Sequence, residues 1–293
     1  MAISLKERWP ITIKDLIRPI MRRILSIRRF RAVLPPPPKV PASPSHTAYP
    51  SFEAAMAECG IGAYNDVELA DVMFKKTRAL AAKRVRDAVH KANAIATLEA
   101  LQLARATQTR VLDFGGNCGL HYFLAKQETG QAFKWAVVEM PLIVKASAPL
   151  ETEELHFFSD IYSALEWLDG KPALIHSSGA IQYTPAPEML LSKLVEIKAP
   201  CLAILRRAVA LGPRRVTVQT SRLSDNGPGE MPPGVRDREV RCPLTFISRT
   251  SFRNIIGYRY RLVYSSRDDR MSDWVADGVR CQHGDNGVFA ITS

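Results

Sequence analysis

The sequence predicts an α/β fold: a mostly parallel sheet with an antiparallel hairpin at one edge, preceded by N-terminal helices. Three observations carry this expectation. From about Thr109 onward, short apolar runs of strand length alternate with helical runs, the pattern of successive βαβ units. A glycine-rich turn follows the first run directly, in "RVLDFGGNCGLHYF" at 110–123. The last two apolar runs lie about 20 residues apart with no helical segment between them, which suits an antiparallel pair.

The elements follow in order. Within residues 1–34, "ITIKDLIRPIMRRILSIRRF" places Ile13, Leu16, Ile17, Ile20, Met21, Ile24 and Leu25 at steps of three and four, with arginines between them. That spacing predicts an amphipathic helix with a cationic face, started or kinked at Pro19. No run reaches the roughly 18 apolar residues needed to span a bilayer, and charges interrupt every candidate signal-peptide core. Two uses of the helix remain open. It can lie on an anionic membrane with its arginines among the head groups, or dock on the body or a partner through the same stripe. The first use places the chain in the cytoplasm, peripheral at the inner face of the membrane.

Residues 35–50 hold seven prolines and read as a stiff linker. Residues 51–108 read as a helical lead-in: a short helix in "SFEAAMAECG", then a long helical region over 66–106 free of proline and glycine. The main domain is expected over 109–293. Its strands are predicted at 110–114, 134–139, 155–158, 173–178, 201–205, 215–220, 260–265 and 287–292. Its helices are predicted at 119–127, 141–148, 161–168 and 187–197, and 221–245 reads as a long loop.

Composition narrows the function. The chain has 293 residues, 46% of them hydrophobic, enough for a large core. The five cysteines lie far apart with no C-x-x-C pair, which argues against disulfides and structural zinc and for a reducing compartment. The net charge is +11, but residues 1–31 hold nine basic residues against Glu7 and Asp15, so the remaining 262 carry only +4. A near-neutral body, with no aromatics interleaved in the basic stretch, argues against a nucleic-acid partner.

The glycine turn admits three readings. A kinase D-F-G needs an upstream H-R-D-x-x-x-x-N loop; "VRDAVHKAN" spaces Asp87 and Asn93 one residue too widely, inside a helical region. A dinucleotide loop needs G-x-G-x-x-G, whereas G-G-N-C-G puts Asn117 at the middle glycine and Gly119 one position early. The third reading starts from Asp113, an acid at a strand's end that repels phosphate and suits a cationic ligand. S-adenosylmethionine (SAM) fits: Asp113 beside its ammonium, the turn Gly115, Gly116, Asn117 and Gly119 close to its methionine moiety, Glu139 of "WAVVEM" on both ribose hydroxyls, and Asp160 of "FFSDI" near the adenine. Three acids at the carboxyl ends of successive strands stand where open α/β sheets bind ligands.

In this order, "VLDFGGNCGLHYF", "FKWAVVEMP", "LHFFSDI" and "LIHSSGAIQYTPAP" resemble a little-characterised bacterial family of class I SAM-dependent methyltransferases. The upstream "YPSFEAA…CGIGAYND" and the downstream "FISRTSFRNIIGYRYRLV" extend the resemblance over roughly residues 10–292. It implies a Rossmann-like class I methyltransferase fold, with seven strands in the order 3-2-1-4-5-7-6 and SAM over the first two. It also implies an association with cell-surface polysaccharide chemistry. Asn117 and Cys118 replace the small residues of the family's loop.

Methyl transfer mainly requires positioning, and an acceptor hydroxyl adds the need for a base. The candidates are His121, on the first turn after the glycine loop, and Ser178, Gln182 and Tyr183, after the fourth main-domain strand. His176, inside an apolar strand, reads as a satisfied core histidine, and Trp135 and Trp167 read as core. The six histidines are scattered, so no metal site is expected. The expected activity is O-methylation of a saccharide or cell-envelope glycan precursor, the partner being a glycan or other small polar acceptor. The competing reading is a non-catalytic SAM- or glycan-binding scaffold in a polysaccharide assembly complex.

Overall fold

The computed structural model describes residues 45–60, 65–104 and 109–292. The predicted amphipathic segment 1–34 and most of the linker lie outside the described residues. The end of the linker is not a free spacer. β1 (Ser45–His46) pairs in parallel with β10 (Trp274–Ala276), and Tyr49 N–H donates to Val216 O at 2.7 Å.

Five parallel strands form the centre: β2 (Thr109–Phe114), β3 (Phe133–Val138), β4 (Leu155–Phe158), β5 (Leu174–Ser178) and β6 (Cys201–Ala210). β11 (Val279–Ile291) runs antiparallel between β6 and β9 (Tyr260–Arg267). The order is β4-β3-β2-β5-β6-β11-β9, so the seven strands fall in the sequence 3-2-1-4-5-7-6. This is the Rossmann-like class I methyltransferase arrangement, with its antiparallel edge.

Both faces of the sheet are covered, so its central strands are apolar at nearly every position. On one face Leu112, Ala136, Ile175 and Leu202 pack against α6 (Ile161–Leu168), α7 (Pro187–Glu196) and α8 (Arg249–Gly257). On the other Val111, Trp135, Leu174 and Ala203 pack against α3 (Lys91–Leu103) and α4 (Leu120–Thr129). The period-two alternation of Val111 and Leu112 assigns them to opposite layers.

Besides β1, β10 and α8, which were not expected from sequence, two regions differ from expectation. The region 66–106 is not one helix but α2 (Val67–Ala81) and α3, separated by a 3-10 turn at Val85–Asp87. The side chain of Gln127, from α4, supplies the break. Its Nε2 donates to Ala81 O and Lys83 O, and its Oε1 accepts from Val85 N–H at 2.9 Å. A tertiary contact thus satisfies the backbone groups that a continuous helix would have paired. The loop at 221–245 is shorter than expected: Glu239–Ser248 is strand β8, antiparallel to β7 (Arg215–Arg222). β8 also joins β6 through Val209 and Ala210. α1 (Phe52–Ala57) and α5 (Pro141–Ser147) complete the helices among the described residues. None of these helices is long and apolar enough to cross a membrane.

Candidate active site

Because β2 to β6 are parallel, their carboxyl ends share one edge, and the turns leaving β2, β3, β4 and β5 converge there. Gly115 N–H donates to Val138 O at 2.9 Å and Glu139 N–H to Phe158 O at 2.9 Å, which holds the turns in register. Gly115 (φ +68°) meets the turn after β5: a Cβ there would collide with Ala180. Gly116 lies on Asp113, so a side chain there would overlap the carboxylate. Asn117 has φ +54°, in the left-handed region that asparagine tolerates better than other non-glycine residues. The replacement of a glycine at 117 therefore preserves the turn. Cys118 turns inward against Leu69, Val72 and Ile143, and burial raises its thiol to about 12. It is an inert core residue.

Asp113, expected beside the ligand's ammonium, is enclosed by protein. It is 0% exposed. One carboxylate oxygen accepts from Trp135 Nε1 at 3.1 Å and the other meets His176 Nδ1 at 2.8 Å. Burial alone would raise its pKa, but the charge and hydrogen bond of His176, then His121 and Trp135, hold it below the usual carboxylate range. It underlies the turn, its carboxylate lying directly against Gly116. His176 is the satisfied core histidine expected, its Nε2 lying 3.2 Å from Thr97 Oγ1.

Glu139, expected on the ribose hydroxyls, directly follows β3. Its Oε1 accepts from Asn117 N–H at 3.1 Å and its Oε2 from Met140 N–H at 2.9 Å, joining the ends of β2 and β3. Burial raises its pKa to about 7 against the lowering by those two N–H groups, with Asp113 adding to the rise. The half-buried carboxylate is thus poised to gain donors. Asp160 is the N-cap of α6, with Oδ1 accepting from Ser163 N–H at 2.9 Å and Oδ2 from Ser163 Oγ at 2.8 Å. It is exposed and held by its own helix, so the adenine contact expected of it would have to share these oxygens.

The acceptor-side candidates separate. His121 stands over His176, ring centroids 4.5 Å apart. Burial first, then the charge of His176, lowers its pKa to about 3, so it is neutral at physiological pH and a weak base. Gln182 donates to Arg206 O at 3.0 Å, and Tyr183 O–H donates to Gln219 Oε1 at 2.7 Å. Burial raises the tyrosine's pKa; both side chains brace the turn after β5 rather than present a base. Ser178, the last residue of β5, has no hydrogen-bond partner for its hydroxyl among the described residues.

The absence of a metal constellation in sequence needs correction at the level of geometry. Asp113, His121 and His176 come within 4.8 Å of one another through their ligand atoms, as do His90, Asp268 and Asp269. The packing of strands, helices and loops brings together residues far apart in the chain. In the first group the direct Asp113–His176 hydrogen bond occupies the space between two of the three. Arg206 also adjoins this edge, and no sequence expectation included it. The one available signal was the pair Arg206–Arg207 interrupting the apolar run "CLAILRRAVA".

No protein-family model matches the chain, and no curated protein sequence matches it. Several solved structures are similar. One is the 1,6-didemethyltoxoflavin-N1-methyltransferase of Burkholderia thailandensis with S-adenosylhomocysteine, at 17% identity and TM-score 0.42, covering 70% of this chain and 80% of that one. Another is a SAM-bound amino pentose methyltransferase from Micromonospora echinaspora, at 14% identity and TM-score 0.43, covering 73% and 97%. A third is a S-adenosylmethionine-dependent methyltransferase from Clostridium acetobutylicum, at 9% identity and TM-score 0.45, covering 79% and 100%. At these values function has to be read from the site itself.

Proposed function

We propose that this protein is a SAM-dependent methyltransferase. The observation that carries the reading is the joint between β2 and β3. There a tight left-handed turn, shaped by Gly115, Gly116 and Asn117, is bonded through Asn117 N–H to the half-buried carboxylate of Glu139. α4, which follows the turn, starts at Gly119 with no side-chain cap, leaving first-turn N–H groups for a carboxylate. Ribose hydroxyls on Glu139 and an amino-acid carboxylate over the turn match the two ends of SAM.

When bound, SAM supplies an electrophilic methyl group. The chain's own residues hold and orient: Glu139 accepts the ribose hydroxyls, the turn and the start of α4 receive the methionine end, and Asp113 fixes the turn from beneath. Ser178 can hydrogen-bond an acceptor hydroxyl at the end of β5. His121 is neutral and so able to take that hydroxyl's proton, though its low pKa suits it better to a shared hydrogen bond than to full proton transfer. The acceptor is proposed to be a saccharide hydroxyl, supported by the polar character of Ser178 and its surroundings. Residues 1–31 are proposed to hold the chain at an anionic membrane surface, on the strength of their +7 charge and apolar stripe.

Calorimetry with S-adenosylhomocysteine tests the cofactor. Binding by wild type, weakened by about 1.5–3 kcal/mol in Glu139→Ala, is expected; unchanged affinity in the variant would sink the assignment. For the acceptor, purified enzyme should methylate glycan fractions, not protein or RNA. Sedimentation with anionic vesicles should weaken when Ile17, Ile20 and Ile24 become serine and when salt rises; equal binding to neutral vesicles would refute the charge mechanism.

A further inference from the structure

Arg206 lies where β6 passes the end of β5, and its surroundings are built around an awkward backbone. Its φ is +50°, a conformation that costs an arginine on the order of 1–3 kcal/mol. The cause is a bulge. Arg207 faces Asp285 and Ile204 faces Gly287, so Leu205 and Arg206 together oppose Asn286 alone. Both backbone groups of Arg206 are held by side chains: its N–H donates to Asn286 Oδ1 at 2.9 Å, and its carbonyl accepts from Gln182 Nε2 at 3.0 Å. Bulges of this kind redirect a side chain, and they concentrate beside active sites.

The redirected guanidinium packs on Gly179, where a Cβ would stand 3.3 Å from Nη1. Among the described residues it has neither an ion pair nor a hydrogen bond, and its Nε is buried without a partner. Arg267 and Arg270, by contrast, are paired with Asp273, Asp285 and Asp268. The charge of Arg206 reaches three groups around the site, His121, Tyr183 and His283. His283 is itself buried, with neither ring nitrogen hydrogen-bonded. A half-buried, strained and unneutralised arginine, next to Ser178 at the acceptor end of the sheet, lacks one thing: an anion.

We infer that Arg206 binds an anionic group of the methyl acceptor, a carboxylate or phosphate, so that the acceptor is an acidic rather than a neutral saccharide. The inference rests on the methyltransferase reading, and a planar guanidinium fork suits both anions. The same chemistry would be met by the carboxylate of SAM, so the test separates the two sources. Full-length protein loaded with S-adenosylhomocysteine is titrated with D-glucuronate, inorganic phosphate and D-glucose. The two anions should bind at least about tenfold more tightly than glucose, and Arg206→Asn should lose about 10–100-fold of that affinity. Arg206→Lys should retain part of it. Asparagine accepts the left-handed backbone, so Arg206→Asn should melt no lower than wild type; a purely structural arginine would melt lower on replacement. S-adenosylhomocysteine affinity should stay within about twofold in both variants. A comparable loss of that affinity would assign the guanidinium to the cofactor and overturn the inference, as would anion binding no tighter than that of glucose. If wild type bound no S-adenosylhomocysteine, the cofactor reading would fall. The anion titration, repeated without it, would still decide whether Arg206 holds an anion.

Discussion

Glu139 concentrates the chemistry of the cofactor side in one ionisation. Its folded pKa is raised to about 7 from an ordinary 4.5, so below about pH 7 the neutral acid is favoured in the unliganded protein. A raised carboxylate pKa adds stability at low pH that is lost as pH rises through about 7. On the proposed reading, ribose hydroxyls would donate to the ionised form, so binding would draw Glu139 toward ionisation and release a proton below pH 7. S-adenosylhomocysteine affinity should therefore rise with pH toward about 7 and level off above it. Glu139→Gln should bind more weakly and lack that rise; an identical profile in the variant would show that another group titrates. This residue was legible in sequence because strand ends can be read from apolar runs, and an acid after "WAVV" falls at one. Asp113 was legible as a strand-end acid but not as a buried one. Its partners Trp135 and His176 are 22 and 63 residues away, and only strand adjacency reveals them. Arg206 escaped for a related reason: the arginine pair interrupting the apolar run of β6 was visible, but the bulge that turns Arg206 depends on the partner strand β11.

At the scale of elements, short apolar runs between turn residues gave most strands of the seven-stranded sheet, because a sheet covered on both faces demands such runs, while their order came from the family resemblance. What composition could not give were breaks imposed from elsewhere, as Gln127 imposes one between α2 and α3. The segment after β7 is another case. Lys76, 2% exposed on α2, sends its ammonium to Ser224 O at 2.6 Å, Gly227 O at 2.9 Å and Asn226 O at 3.1 Å. Burial lowers its pKa while Asp225 and Asp237 oppose the fall. The lysine clamps the start of the irregular stretch between β7 and β8, whose Gly227 and Gly229 pack near Met73 and Leu80 of α2. Lys76→Met keeps most of the buried stem and removes the donors. It should cost about 1.5–3 kcal/mol and speed proteolytic cleavage within 226–238, with little change at the β2–β3 joint. Unchanged cleavage would mean that packing, not the ammonium, holds the segment.

Across the whole molecule, one buried polar chain ties these parts together. From Asp113 beneath the glycine turn it runs through His176 to Thr97, whose hydroxyl donates to Asn93 O at 3.0 Å. Asn93 Nδ2 donates to Asp268 at 2.9 Å, and Asn93 Oδ1 accepts from Asn286, the residue that also holds the backbone of Arg206. The lead-in helix α3 is therefore the bridge between the glycine turn and the bulge at Arg206, which explains why a segment ahead of the sheet belongs to the same compact unit. Such a chain is costly to break in the middle. Removing the hydrogen-bond partner of a buried carboxylate leaves that charge uncompensated, at about 3–5 kcal/mol. His176→Leu should destabilise the protein by that amount at pH 7 in urea unfolding, because Asp113 would keep only Trp135. The pH dependence separates this cause from lost packing. Asp113 is held below the usual carboxylate range in the native protein, so its contribution is present above about pH 4 and is lost as pH falls through the folded pKa. Without His176 the carboxyl can protonate instead, and the deficit of the variant should shrink on acidification toward about pH 4. Asp113→Asn in the same background should recover part of the loss at pH 7. A deficit that stays constant with pH, or a double variant whose losses simply add, would assign the cost to the cavity left by the imidazole and not to the stranded charge.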